Sequence, residues 1–127
     1  MFERHDKWEV NAVLPDEESL DISFKRGREQ GELPIDRHEF FNYDMIIFGD
    51  INAKLLSDDE MTAIKDFVEQ RAGGIVFIDG RRQHLQTYKN TPLRDLIPVK
   101  FLSNNPIRDC RELKLTPVGQ QINALDL

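Results

Sequence analysis

A chain of 127 residues, 39% hydrophobic and 31% charged, has the size of one domain and enough apolar material for one core without a disulfide or metal staple. Its 23 acidic against 17 basic residues leave a formal net charge of -6, which argues against nucleic acid or an anionic membrane surface as partner, because phosphate neutralisation needs a basic face. A single cysteine, Cys110, excludes an intrachain disulfide, and no apolar run approaches the roughly 18 residues of a membrane span.

In chain order, residues 1–10 carry Glu3, Arg4, His5, Asp6 and Lys7 and form no signal peptide. Residues 2–7 read as the tail of a helix, and residues 8–14 (WEVNAVL) as a short strand that Pro15 ends. The stretch 16–32 is the most polar, with Gly27 and Gly31 near its end. It predicts a long, mobile loop with at most one helical turn and Phe24 as a poor sole anchor. Its acids between Asp16 and Asp21 lack the glycine-centred loop of a calcium site, so they read as solvated.

Residues 36–42 (DRHEFFN) suit a short helix, with Asp36 as N-cap and Glu39 three residues on. The apolar run 43–49, closed by Gly, Asp and Asn, suits a buried parallel strand. Residues 57–71 give the clearest helix. Ser57 and Glu60 have capping-box spacing, and Met61, Ile64, Phe67 and Val68 form one apolar stripe. Gly73-Gly74 stops this helix, and residues 75–78 (IVFI) make a second buried strand before Asp79-Gly80.

Residues 91–96 predict a short helix with Thr91 as cap and Pro92 at its first position. Strands at 98–102 and 112–115, a turn-rich loop at 103–109 and a final helix at 117–125 complete the expectation. Strands separated by helices imply a mostly parallel sheet covered on both faces, in one α/β domain over residues 1–127. The binding crevice of such a sheet lies beyond the carboxyl ends of its strands. Those ends are Gly49-Asp50-Ile51-Asn52 and Asp79-Gly80-Arg81-Arg82-Gln83-His84.

The order Tyr43-Asp44-x-Ile46-Ile47-x-Gly49-Asp50, a helix ending in Phe67-Val68, then Gly73-Gly74-Ile75-Val76-Phe77-Ile78-x-Gly80 resembles the class I glutamine amidotransferase-like superfamily. With Thr91-Pro92-Leu93-x-x-Leu96-Ile97-Pro98-Val99 and Leu115-Thr116-Pro117-x-Gly119, it is most similar to the amidotransferase-like domains of large bacterial membrane proteins that carry von Willebrand-type domains. The resemblance covers roughly residues 8–125 and implies a flavodoxin-like sheet. Active members present a cysteine on the turn after the Gly-Gly strand, where a helix N-terminus makes the thiolate nucleophilic. Here that turn reads Ile78-Asp79-Gly80-Arg81, and no histidine follows His84 to supply the family's His-x-Glu pair. The family's glutamine hydrolysis therefore has neither nucleophile nor base. Family domains also begin with an apolar strand that has no counterpart here. That implies an excerpt of a longer, membrane-anchored protein, or a sheet rearranged or completed by a partner, with self-association at its open edges.

Candidate site residues gather at the two strand ends. Arg81 and Arg82 could hold an anion with their guanidinium forks and nearby amides; the plainer reading is an exposed basic turn. His84 could act as base or ligand, against a plain solvent-facing histidine. Asp50 and Asn52, like Asp79 and Gly80, could line the crevice, although such residues more often build turns through side-chain to backbone hydrogen bonds. Cys110, flanked by Arg108 and Arg111, could be a reactive thiol but reads better as structural. His5, His38 and His84 form no zinc spacing, and no cofactor or metal is expected. The chain is thus expected to be a non-catalytic amidotransferase-like module for protein interaction or assembly in an envelope-associated protein. A small-anion or small-ligand domain, or a hydrolase with an unrecognised site, are the alternatives.

Overall fold

Two apolar runs of four residues each form the strands of the computed structural model, which describes residues 8–16, 21–101, 114 and 116–121. Strand β1 (Met45–Phe48) and strand β2 (Gly74–Phe77) pair in parallel, with Met45 opposite Gly74 and Phe48 opposite Phe77. The Gly74 N–H donates to the Asp44 carbonyl at 2.9 Å and the Ile78 N–H to the Phe48 carbonyl at 2.8 Å, which closes both ends of the ladder. Parallel neighbours need a crossover, and the helix between them supplies it. Before β1 lies a four-residue helix, α1 (Arg37–Phe40), and the crossover helix is α2 (Asp58–Glu69).

The start of α2 follows from its sequence. Ser57 Oγ accepts from the Glu60 N–H, and the Glu60 carboxylate accepts from the Ser57 N–H at 2.8 Å, so two orphan amides are satisfied reciprocally. The stripe Met61, Ile64 and Phe67 is buried, with Ala63 added and Val68 half-buried at its margin. Phe67 and Leu93 are the best-shielded side chains, at 0% exposure. Phe48 joins this core to the sheet, stacking on Phe77 at 5.4 Å and meeting Tyr88 edge-on at 6.3 Å.

The end of α2 differs from expectation. Its last helical residue is Glu69, and Ala72, not a glycine, takes the left-handed backbone at φ 59. Gly73 is needed for space instead: a Cβ there would lie 2.0 Å from the Phe67 ring. At α1, Asp36 caps the Glu39 N–H at 3.1 Å as expected, whereas the Glu39 carboxylate accepts from the Ile35 N–H rather than from the cap residue.

The sheet is less covered than its apolar sequence implies. The described residues contain two strands, and the α/β character holds, but only one face of the pair packs into the core. Ile46, Phe48, Ile75 and Phe77 point toward the core; Met45, Ile47, Val76 and Ile78 remain 50%, 62%, 40% and 56% exposed. A continuous apolar run marks a strand, but it does not say whether both faces find a cover.

Residues 8–14 form no strand. Trp8, Val10 and Leu14 stay exposed, and the segment is tied by a side chain. Asn11 Nδ2 donates to the Glu32 carbonyl and to Tyr43 Oη, both at 3.0 Å, and Asn11 Oδ1 accepts from the Gly31 N–H at 2.7 Å. The polar stretch after it is held by more than Phe24. Arg26 grips the Glu60 carboxylate through Nε and Nη2, and also donates to the Leu55 and Phe24 carbonyls at 2.9 and 3.1 Å. The Leu33 N–H returns to the Lys25 carbonyl at 2.8 Å.

The expected helix at 91–96 is a 3-10 helix, Pro92–Leu96, and the Thr91 hydroxyl donates back to the Tyr88 carbonyl instead of capping it. Residues 98–101 form no strand. A short helix α3 (Pro117–Gln120) stands where the last helix is expected to begin. The expected helix at 2–7, loop at 103–109 and strand at 112–115, together with Cys110, fall largely or wholly outside the described residues. No helix among the described residues is long and apolar enough to cross a membrane.

Candidate functional site

The carboxyl ends of β1 and β2 meet at Asp50. Its carboxylate accepts from the backbone N–H groups of Arg82 and His84, each at 2.9 Å. The His84 ring stands beside it, with Nδ1 3.1 Å from the Asp50 carbonyl and 3.4 Å from its carboxylate. Gly80 passes so close that a Cβ would meet the Asp50 carboxylate at 2.5 Å. The His84 N–H holds the Asp50 carboxyl below its ordinary value against partial burial, and the Arg82 N–H adds to this.

Asp79 performs the matching task on the other strand. Its Oδ1 accepts from the Gly80 N–H at 3.1 Å and from the Leu85 N–H at 3.3 Å. Asn52 caps the 3-10 turn Ala53–Leu55 by accepting from the Lys54 N–H at 3.0 Å. Thus Asp50, Asp79, Gly80, Arg82 and His84 are brought together, Asn52 is turned to its own turn, and the exposed Arg81 side chain forms no hydrogen bond or ion pair among the described residues.

The chemistry of this cluster is that of a closed turn. The Gly80, Arg82, His84 and Leu85 amides that could cradle an anion are already directed at the protein's own carboxylates, which leaves an incoming anion chiefly the two arginine side chains. His84 and Asp50 form a dyad, but among the described residues no serine or cysteine is hydrogen-bonded to the ring. Thr87 Oγ1 accepts from the Ala53 N–H and donates to the His84 carbonyl, so it braces the turn. No group of three His, Cys, Asp or Glu side chains among the described residues could hold a metal ion.

A second region was not legible beforehand: the outer side of β1. A trench of about 150 Å3 runs there, walled by Val13, Phe24, Leu33 and Ile51, and it widens into an open cleft of about 730 Å3 beside residues 8–11. Both are lined by residues of β1 and by none of β2, which places them along the unpaired edge. The hint available in the sequence was the run at 8–14, which reads as a strand yet leaves its pairing undetermined.

No protein-family model, no curated protein and no solved structure matches this chain.

Proposed function

We propose that the chain is a non-catalytic α/β module whose task is protein interaction, within a larger envelope-associated protein as its amidotransferase-like sequence pattern implies. The observation that carries this reading is the bare face of the parallel pair. Parallel sheets are ordinarily covered on both sides. Here Met45, Ile47, Val76 and Ile78 present one continuous apolar surface to solvent, and clustered exposed apolar side chains mark docking sites more often than scattered ones do. The turn Ile78-Asp79-Gly80-Arg81, without a thiol, and the commitment of Asp50 and Asp79 to backbone amides favour binding over catalysis.

Two measurements test it. The neutral dye Nile red should bind the protein, and the double substitution Ile47→Lys, Val76→Lys should abolish that binding with the circular dichroism spectrum unchanged. Glutaminase and esterase assays should stay at the blank. Dye binding that survives the double substitution, or a turnover removed by His84→Ala, defeats the proposal.

A further inference from the structure

The bare face has an edge, and that edge defines how a partner would bind. The Asp44 and Phe48 carbonyls accept from β2, so Asp44, Ile46 and Phe48 turn their backbone groups inward. In a parallel ladder the alternate residues, Met45 and Ile47, then turn their N–H and C=O groups outward. Among the described residues no other strand pairs that side of β1. The apolar trench lies directly along it.

Charge selects the occupant. The wide mouth of the trench carries Glu9, Glu29, Glu32, Glu39 and Asp44 against Arg28. Arg28 is paired with Glu39, and Asp44 with Arg71. No described cation pairs Glu9, Glu29 or Glu32. A second copy of this chain, with net charge -6 and the same acidic mouth, would bring like charges together.

We infer that the outer edge of β1 receives an extended segment of another protein as an added parallel or antiparallel strand, with alternating apolar residues in its centre and lysine or arginine at its flanks. Main-chain hydrogen bonds to Met45 and Ile47 hold it, alternate side chains enter the trench beside Val13 and Leu33, and the basic flanks meet the acidic mouth. This deepens the interaction reading above and rests on it.

The test uses the whole chain and a capped peptide, Lys-Lys-Val-Thr-Val-Thr-Lys-Lys. Its companions carry glutamate for lysine, or N-methyl groups on alternate residues. Amide exchange is followed residue by residue by NMR. The lysine peptide should slow exchange at the Met45 and Ile47 N–H groups by about tenfold or more. The glutamate peptide should not, the N-methylated one should bind about tenfold more weakly, and Glu9→Gln with Glu29→Gln should weaken the lysine peptide severalfold.

Slowing by no peptide overturns the inference; if Ile47→Lys, Val76→Lys still abolishes Nile red binding, the broader interaction reading survives alone. Equal binding of the N-methylated peptide means docking through side chains and also overturns it. Slow exchange in the free protein means the edge is already occupied. A dependence on protein concentration identifies a second copy as occupant, and independence of it identifies the chain's own residues; either overturns the inference.

Discussion

Replacing Arg26 by methionine isolates the contact that fastens the polar stretch at 21–33 to the helical layer. Methionine keeps the alkyl stem and removes the guanidinium. Three acceptors lose a donor at once, the Glu60 carboxylate and the carbonyls of Leu55 and Phe24, although Glu60 keeps the Ser57 N–H. Breaking a fully buried ion pair costs about 3–5 kcal/mol, and an exposed pair is worth less than about 1 kcal/mol. This pair lies between, because the Glu60 side chain is 10% exposed and that of Arg26 39%, so water can partly replace the guanidinium. We expect a loss of about 2 kcal/mol at pH 7 after that discount, or about 6–10 °C in Tm for a domain of this size.

Urea unfolding followed by circular dichroism measures it, and a double-mutant cycle with Glu60→Gln should give a coupling of about 1–2 kcal/mol. The pH dependence has a definite sign. Burial pushes the Glu60 carboxyl up, but the Arg26 hydrogen bond and the Ser57 N–H outweigh it and leave it below its ordinary value. A depressed carboxyl contributes stability that is complete above the unfolded value of about 4.3 and is lost as pH falls through the folded one. The gap between wild type and Arg26→Met should therefore be full at pH 7 and narrow in acid. A variant within about 0.5 kcal/mol of wild type at pH 7, or a gap that ignores pH, refutes the tether.

At the end of α2, neighbouring substitutions should act in opposite directions. Gly73→Ala should destabilise by about 2–3 kcal/mol, since its Cβ would strike the buried Phe67 ring, whereas Ala72→Gly should stabilise by up to about 1 kcal/mol by relieving the left-handed alanine; thermal melts of the two single variants decide. Tyr88→Phe should be neutral or stabilising by about 1 kcal/mol in the same assay, because the Tyr88 hydroxyl is buried with no partner among the described residues and burial pushes its pKa up to about 12. Asp50→Ala should speed amide exchange at Arg82 and His84 while leaving the amides of α2 unchanged.

Features encoded over short spans were readable from the sequence. Ser57 and Glu60 announce their reciprocal cap, the stripe from Met61 to Phe67 announces the buried side of its helix, and the apolar runs at 43–49 and 75–78 announce the strands found at 45–48 and 74–77. Features joining distant residues were not. Arg26 and Glu60 are 34 positions apart, as are Asp50 and His84, and nothing local to either residue specifies its partner. Asp50 was readable as a turn former, but the turn it organises belongs to the other strand. Gly73 was readable as a helix stop, yet its requirement comes from the Phe67 ring rather than from its own dihedral angles. The bare face could not be read at all, because Met45 and Ile47 have the same apolar character as Ile46 and Phe48 between them.

The grip of Asp50 on the Arg82 amide also governs how the chain meets a protease. Arg81-Arg82 is an exposed dibasic pair, a natural cleavage point for trypsin, yet the nitrogen of the bond between them is the one held by the carboxylate at 2.9 Å. A protease must draw that segment into an extended shape, which first requires the loop to let go of the preceding strand's end. Nicking at this bond therefore clocks how often the carboxyl end of the sheet comes undone, while the rest of the molecule stays folded.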